Sequence, residues 1–421
     1  MKRFLIIFIG IAAVALLALL GYYFYSKNAA PAASNPGSTT GGLPNPGNQN
    51  NPQQSSSPSG IPGSPVAAPA YTGQKFGVVA QNQVLAYYVD PQNNAFLVQP
   101  DGQVFEVANG TASALGSSTI PNLISAGFSH DGEKILGISG NPSDPQISVF
   151  TSSTSAWQPL AQGILSPVWS PINYQIAYLA PANGAVTLTT IDLSNPKARP
   201  VSFITLHAQD LALRWVSANQ IILSEKTGAA STGSTWSYDL KKKVLSELVS
   251  EQSGLDTAWS GPAASGLVFE GSENGIGGRL TLVGASGSPL ENLSFLTLPE
   301  KCAFDTELVP AASSTEVAAS STAKSGTKIP LAPTSTLVTS LYCGIPRDAQ
   351  KLQTSALPDD YLMRSFFTAD DLYKVDLASG NTSQIFADQN QTLDTTDLSV
   401  ANQTLFFVNR IDQRLYAVSL K

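Results

Sequence analysis

The sequence predicts an all-β protein, a seven-bladed β-propeller that follows one N-terminal transmembrane helix and a disordered linker. The main observation is a repeated unit in which a strand ends in a large aromatic residue, a tight polar turn follows, and a second strand begins. Four of these units are anchored by Phe128, Trp169, Trp215 and Trp259. These residues lie 41, 46 and 44 positions apart. A period in the forties, with about four short strands per period, is typical of a propeller blade.

The first segment, residues 1–27, is predicted to be a membrane anchor. An uncharged apolar run extends from Phe4 to Tyr25, and as a helix it would span about 33 Å, which is enough for the hydrocarbon core of a membrane. Two basic residues precede the run and only Lys27 follows it closely, which favours a cytoplasmic N-terminus with the remaining chain outside the cytoplasm. A cleaved signal peptide is the alternative, although its apolar region would be shorter, about 7–15 residues.

The second segment, residues 28–73, is predicted to be a disordered stalk. It is rich in Pro, Gly, Ser and Asn and carries no charged residue, so it has too little apolar surface to form a core. The mean reach of a flexible linker of this length is about 35–40 Å. Such a stalk would hold the folded part of the chain clear of the membrane.

The third segment, residues 74–421, is predicted to form the propeller, because alternating apolar strands and Gly turns recur along it. Six or eight blades are the alternatives to seven. The last unit has only three strands, and a propeller ring can close when one terminus completes a blade begun by the other. We therefore expect residues 66–80 to pair with the last blade. The predicted units are 76–107, 123–160, 164–204, 209–248, 254–293, 298–386 and 393–418.

The sixth unit is oversized because a low-complexity insertion at about 306–336 interrupts one of its hairpins. Aligned on the repeat, Cys302 and Cys343 face each other on neighbouring antiparallel strands, with their Cβ atoms a few ångströms apart. Outside the cytoplasm the pair should form a disulfide, and in the chain-entropy model closing this loop stabilises the fold by about 4 kcal/mol. A redox or metal pair is the alternative, but it lacks a third ligand and a CxxC spacing.

The composition argues against a nucleic-acid-binding surface. The formal net charge is −7 and charged residues make up only 13% of the chain, whereas nucleic-acid binding needs clustered Lys and Arg. The run Lys241-Lys242-Lys243 stands where a hairpin turn is expected, and we interpret it as a solvated turn.

We predict no catalytic, cofactor-binding or metal site. The two histidines, His130 in a hairpin turn and His207 in a loop, have no second ligand at metal-ligand spacing. The pairs Asp359-Asp360 and Asp370-Asp371 lack the spacing of a calcium loop, and we interpret them as solvated loop acids.

One weak candidate for a binding site is an acidic channel mouth. Asp210, Asp256 and Asp394 lie at or near the predicted starts of innermost strands, which begin close to the central channel. Converging there, they would suit cationic peptides or metal ions. Ordinary loop polarity is the alternative.

The repeat resembles that of TolB-like, WD40-like bacterial propellers. The likeness is carried by the turn Trp169-Ser170-Pro171-Ile172-Asn173 and the strand Ile176-Ala177-Tyr178 that follows it. The layout also resembles membrane-anchored propeller proteins of candidate-phylum bacteria, through segments 119–121, 298–302 and 341–346. The seventh repeat departs from the pattern, with Leu398 where an aromatic residue is usual. The resemblance implies a fold and an exported location but no activity, because propellers host many functions.

Together these observations predict a single-pass, extracytoplasmic scaffold of the cell membrane that binds a protein or a cell-envelope polymer. It would be a non-enzymatic module without a cofactor. The alternative is an envelope enzyme acting on glycans with carboxylates at one mouth of the propeller, which would need a carboxylate pair about 5–10 Å apart in a pocket. A third possibility is a structural role in a surface assembly, with the insertion in the sixth unit as the contact element.

Overall fold

The computed structural model describes residue 71 and residues 73–142, 144–208, 210–261, 265–309 and 336–421. The predicted membrane anchor, nearly all of the predicted stalk and most of the insertion in the sixth unit lie outside these residues. Among the described residues, none of the helices is both long and apolar enough to cross a membrane.

The described chain forms seven four-stranded antiparallel sheets, which confirms the all-β fold and the seven predicted blades. The first strand, β1 (Phe76–Ala80), belongs to the last blade. Blade 1 contains β2 (Ala86–Val89), β3 (Ala95–Val98), β4 (Val104–Ala108) and β5 (Thr111–Ala114). Blade 2 contains β6 (Leu123–Phe128), β7 (Lys134–Asn141), β8 (Asp144–Thr151) and β9 (Ala156–Pro159). Blade 3 contains β10 (Leu165–Trp169), β11 (Gln175–Ala182), β12 (Ala185–Asp192) and β13 (Val201–Leu206).

Blades 4 and 5 follow the same plan. They contain β14 (Leu211–Ser217), β15 (Gln220–Glu225), β16 (Thr232–Asp239) and β17 (Val244–Ser253), and then β18 (Asp256–Trp259), β19 (Ser265–Gly271), β20 (Gly278–Gly284) and β21 (Pro289–Asn292).

Blade 6 begins after a 3-10 turn (Pro299–Lys301) and carries two one-turn helices between its second and third strands. Its elements are β22 (Cys302–Val309), β23 (Thr336–Pro346), α1 (Gln350–Gln353), α2 (Asp359–Leu362), β24 (Asp370–Asp376) and β25 (Thr382–Phe386). Blade 7 contains β26 (Thr395–Ala401), β27 (Thr404–Asn409) and β28 (Arg414–Ser419). Four-residue helices are too short to show helical periodicity, so α1 and α2 could not be predicted from the sequence.

The ring closes where β1 pairs antiparallel with β28, with Phe76 opposite Val418 and Val78 opposite Tyr416. This confirms the expected pairing of the N-terminal residues with the last blade. Blade 1 therefore extends over residues 86–114 and not 76–107. Its fourth strand, β5, was missed because all four of its residues are exposed and show no apolar alternation.

The aromatic residues of the repeat connect adjacent blades. The indole nitrogen of Trp169 in blade 3 donates a 2.9 Å hydrogen bond to the carbonyl of Gly127 in blade 2. Clusters of buried side chains fill the spaces between sheets, such as Leu179 and Leu188 of blade 3 against Leu223 of blade 4. No blade could bury its apolar faces alone, so the core of the protein is distributed around the ring.

The first strand of each blade lies nearest the axis. First strands of neighbouring blades contact each other, as β2 does with β6, β10 with β14, and β22 with β26. We call the end of the ring at which these first strands begin the start face. The loops that join the second and third strands of each blade lie at the same end.

Cys302 and Cys343 are directly opposite each other on β22 and β23, and they form a disulfide with a Cα–Cα distance of 4.2 Å. Both residues are buried. The bond joins the two strands at the end of the hairpin that is remote from the inserted residues.

Candidate functional site

A cavity of about 790 Å³ opens on the axis of the propeller. Its wall includes Ala126 on β6, Arg214 on β14, Asp256 on β18 and Asp397 on β26. These strands are the first strands of blades 2, 4, 5 and 7, and residues from such distant blades meet only at the axis. We call this space the channel cavity.

The wall of the channel cavity carries more negative than positive groups. Six ionisable side chains line it, four carboxylates and two cations: Glu225, Asp256, Glu300, Asp397, Arg214 and Lys226. The γ-carboxylate of Glu225 already accepts a 2.9 Å hydrogen bond from the amide of Ser234 within its own blade.

Glu300 lies in the 3-10 turn that precedes the first strand of blade 6. Its side chain lines the channel cavity, whereas the next residue, Lys301, is completely buried inside the ring. Oε1 of Glu300 is buried and has no hydrogen-bond partner among the described residues. Burial, reinforced by the negative charges of Asp256 and Asp397, raises the pKa of Glu300 to about 8.

Asp256 and Asp397 face the same cavity from β18 and β26. Burial raises the pKa of Asp256 to about 6, although the amide of Thr257 and the guanidinium of Arg214 act in the opposite direction. Burial also raises the pKa of Asp397, which has a positive φ of 50° at a bulge in β26. Asp397 is exposed to the cavity, but protein surrounds it on the other sides, so its charged form is less well solvated than at an open surface.

The three aspartates of the predicted acidic mouth do not meet. Asp256 lines the channel cavity, while Asp210 is exposed in the turn before β14 and lines a separate groove with Ile124 and Lys226. Asp394 is completely buried next to the start of β26. Each of the three stands at the start of a first strand, but the side chains point in different directions.

Asp394 belongs to a buried network of charges between blades 6 and 7. Its carboxylate is 2.7 Å from Nζ of Lys301 and 2.7 Å from Nη1 of Arg410. The same ammonium group of Lys301 is 2.7 Å from Asp370, whose Oδ2 also accepts a 2.8 Å hydrogen bond from the amide of Thr395. The network holds two positive and two negative groups, so Asp394 is neutralised and unavailable to a ligand in the channel.

Asp370 and Asp371 are buried and paired, contrary to their interpretation as solvated loop acids. Asp371 forms a 2.7 Å ion pair with Arg347. The carboxylate of Asp359 accepts a 3.1 Å hydrogen bond from the amide of Ala229, and Asp360 caps the amide of Ala356 at 2.8 Å. Since these partners are distant in sequence or are backbone amides, the acidic pairs alone did not reveal them.

The segment 347–369 between β23 and β24 crosses the start face, and we call it the crossing segment. It reaches blade 5 through a 2.9 Å hydrogen bond from the amide of Gly277 to the carbonyl of Ser355, and blade 4 through Asp359. Arg410 of blade 7 donates a 2.5 Å hydrogen bond to the carbonyl of Tyr361 and lies over its ring at 3.5 Å. Because Pro358 and Leu362 line the channel cavity, the crossing segment forms part of its wall at this end.

Large apolar side chains are exposed on the same end of the ring. Five of them, on the crossing segment and on the two loops that it contacts, have between 37% and 69% of their surface exposed: Ile276, Leu362, Met363, Phe367 and Ile411. We call this group the apolar rim. Composition and repeat patterns did not reveal it, because it depends on which loops of different blades meet.

Both histidines are exposed, His130 in its hairpin turn and His207 in the loop after β13. Within the part of the chain that the structure describes, no cluster of three or more His, Cys, Asp or Glu residues could hold a metal ion.

Comparison with known proteins gives similarity at the level of structure. No protein-family model matches the chain, and no curated protein matches it in sequence. TolB from Acinetobacter baumannii is similar, with 16% identity and a TM-score of 0.36 over 50% of this chain and 55% of that one. This chain therefore spans about half the length of that relative.

Two further solved structures are similar over most of this chain. The β-propeller domain of the Trilobed protease from Pyrococcus furiosus has 11% identity and a TM-score of 0.46, over 80% of this chain and 96% of that one. The Cps50 (Swd1) propeller domain from Myceliophteria thermophila has 9% identity and a TM-score of 0.45, over 82% and 100%. The resemblance is one of fold. It assigns no activity.

Proposed function

We propose that this chain is a membrane-anchored binding module whose propeller, outside the cytoplasm, holds a protein ligand on its start face. The observation that carries the proposal is the apolar rim. Large apolar side chains scattered singly are normal on a protein surface, but a group of them around a concave opening is typical of an interaction site.

The composition of the apolar rim favours a protein over a cell-envelope polymer as the ligand. Leu362, Met363 and Phe367 present flexible aliphatic and aromatic surface, which gains free energy when another apolar surface removes it from water. A polysaccharide would bring mainly hydroxyl groups to this surface.

The proposed location is supported by three features of the sequence. The apolar run from Phe4 to Tyr25 is long enough to cross a membrane, and the following residues have the composition of a flexible stalk. The disulfide between Cys302 and Cys343 suits an oxidising compartment.

The proposal is tested by crosslinking affinity capture from the cells that produce the protein. A rim variant, Ile276→Ser with Met363→Ser, should recover at least tenfold less of the protein partner than the wild type. The matched control is Val201→Ser with Val244→Ser, which changes two similarly exposed apolar residues on the outermost strands of blades 3 and 4. Equal recovery by the rim variant, or an equal loss with the control variant, would contradict the proposal.

A second candidate function, hydrolysis of an envelope glycan, is favoured by one observation. Asp256 and Glu300 line one cavity with pKa values of about 6 and about 8, and two carboxyl groups with different pKa values can act as base and acid. The purified chain should then release reducing ends from cell-wall glycan, and Glu300→Gln should abolish the release. Absence of turnover would remove this candidate.

A further inference from the structure

The geometry points to a binding site for an organic cation in the channel cavity. We propose that the site takes an alkylammonium or guanidinium group, supplied by a Lys or Arg side chain or by a free polyamine. The first source rests on the proposed function, since the basic side chain would belong to the protein ligand that docks on the apolar rim. The second source does not depend on it.

The wall of the channel cavity has more carboxyl groups than cationic groups. Asp256, Glu300 and Asp397 face it from three different blades, and Arg214 is the cation that acts on Asp256. Counting Glu225 and Lys226 as well, four carboxylates stand against two cations. In the free protein this surplus is relieved by protons held on Glu300 and Asp256, and a ligand with one or two positive charges would take the place of those protons.

A second feature of the cavity, separate from the charge count, is a missing hydrogen-bond donor. Oε1 of Glu300 is buried without a hydrogen-bond partner among the described residues. A buried carboxylate oxygen without a donor is unfavourable, and native proteins rarely leave one unsatisfied. An ammonium or guanidinium group in the channel cavity would donate an N–H to this oxygen.

The volume and lining of the cavity also suit an extended basic side chain. A volume of about 790 Å³ is large enough for an extended basic side chain. Leu213, Leu255 and Leu362 line the same space and offer apolar surface to the methylene groups of the side chain. The exposed part of the apolar rim lies at the end of the ring from which such a side chain would enter.

An organic cation suits the cavity better than a metal ion. The carboxylates come from separate blades, and no group of three of the described His, Cys, Asp and Glu residues could coordinate a metal. Charge-assisted hydrogen bonds from an ammonium or guanidinium group can reach carboxylates that are spread around a wall.

Binding of a cation should release protons. Since burial favours the neutral forms of Glu300 and Asp256 in the free protein, a bound cation would shift both toward ionisation. Affinity should therefore rise from pH 5 to pH 9. The charged groups that act on Glu300 are Asp256, Asp397, Arg410 and Lys301.

The test is isothermal titration of the full chain, kept in nonionic detergent, with four probes: Nα-acetyl-lysine amide, Nα-acetyl-arginine amide, spermidine and Nα-acetyl-norleucine amide. We expect heat of binding from at least one of the three cationic probes and none from the uncharged norleucine probe. Binding of an amino-acid probe would assign the site to a basic side chain, and binding of spermidine alone would assign it to a free polyamine.

Variants show whether the measured heat of binding comes from the channel cavity. Glu300→Gln and, separately, Asp256→Asn should weaken binding at least tenfold, whereas Glu247→Gln, which removes an exposed carboxylate from the outer strand β17, should leave it unchanged. The rim variant Ile276→Ser with Met363→Ser should also bind the probes normally, so failure of the docking proposal would be seen separately. The inference would be overturned if no cationic probe bound the wild type. It would also be overturned if both carboxylate variants bound the cationic probes as tightly as the wild type does, or if the norleucine probe bound as tightly as the cationic probes.

Discussion

Glu300 and Lys301 are adjacent in sequence, yet Glu300 lines the channel cavity and the side chain of Lys301 is completely buried between two blades. Of the carboxylates in the channel cavity, only Asp256 was predicted from the sequence to lie at the channel mouth. Glu300 could have been found by the same argument, because it also stands just before a first strand. Asp397 could not, since a bulge with a positive φ sets its direction. The buried partners Lys301 and Asp394 are 93 positions apart, so only the folded ring brings them together.

Glu300→Gln should flatten the pH dependence of stability. A solvated Glu loses its proton near pH 4.5, whereas Glu300 keeps it up to about pH 8 in the folded chain. Between these values the folded state binds more protons than the unfolded state, so the wild type loses unfolding free energy as the pH rises. Gln does not titrate. The variant should match the wild type near pH 4 and exceed it above pH 8 by an amount on the order of 2 kcal/mol, after allowance for screening by channel water.

Urea unfolding followed by Trp fluorescence across this pH range measures the effect. Glu247→Gln is the matched control, because it removes the same charge from an exposed position. Parallel pH profiles for the wild type and Glu300→Gln would show that Glu300 is not held in its neutral form.

Lys301→Met should strongly destabilise the fold. The change keeps an unbranched side chain of similar length, but it removes the ion-pair partner of Asp370 and leaves Asp394 with only Arg410, in a buried site. Breaking a buried ion network by removing one partner costs about 3–5 kcal/mol. The urea midpoint should fall accordingly, while Lys241→Met in an exposed turn should leave it unchanged. A cost below about 1 kcal/mol would mean that the network adds little to stability.

At the scale of elements, the repeat predicted the strands well and their connections poorly. Cys302 and Cys343 lie opposite each other as the alignment of the repeat requires, because strand register within a blade is fixed by the pleat and the buried face. The connections depend on neighbouring blades instead. The crossing segment is held by backbone amides of blades 4 and 5 and by the Arg410 side chain of blade 7, and composition does not reveal which partners these are.

The disulfide should stabilise the fold, because the loop that it closes restricts the unfolded chain. Replacing both Cys302 and Cys343 by Ala should lower the unfolding free energy by about 2–4 kcal/mol, since the crosslink limits the unfolded state over a sequence separation of 41. The measurement is the urea midpoint of the double variant against the oxidised wild type. The wild type unfolded in the presence of a reductant is the control and should approach the variant. No difference between oxidised and reduced protein would contradict this expectation.

Gly287 in the turn between β20 and β21 lies against blade 4. A Cβ atom built there would come within 1.8 Å of the carbonyl oxygen of Leu248, and the φ of Gly287 is 79°. Gly110 in the corresponding turn of blade 1 has a φ of 75° but nothing within 4 Å of its Cβ position. Gly110→Ala should therefore cost only the left-handed backbone strain, about 1–2 kcal/mol. Gly287→Ala should cost clearly more, because blades 4 and 5 must move apart.

Thermal unfolding of the two glycine variants, measured side by side, compares these costs. The larger drop in melting temperature is expected for Gly287→Ala. Equal drops in melting temperature would mean that blade 4 can move away from the turn without a loss of stability.

At the scale of the whole molecule, the ring geometry determines which residues of distant blades meet at the surface. Closure of blade 7 by β1 was predictable, because the last repeat shows only three strands and the third of them would otherwise have an unpaired edge. The channel cavity and the apolar rim were not, since each gathers residues from blades that are far apart in the chain. Both features lie at the start face, where carboxylates line a channel and apolar side chains surround its opening. That combination would suit a ligand that inserts a positive group and rests an apolar surface beside it.

The most direct test of the start face as the binding surface is site-specific photocrosslinking in the producing cells. A photoreactive amino acid would replace Met363 on the apolar rim in one strain and Leu290 on the outer strand β21 in another, both large, exposed positions. We expect a discrete protein adduct from position 363 and none from position 290. An adduct from position 290 with none from position 363 would contradict the account.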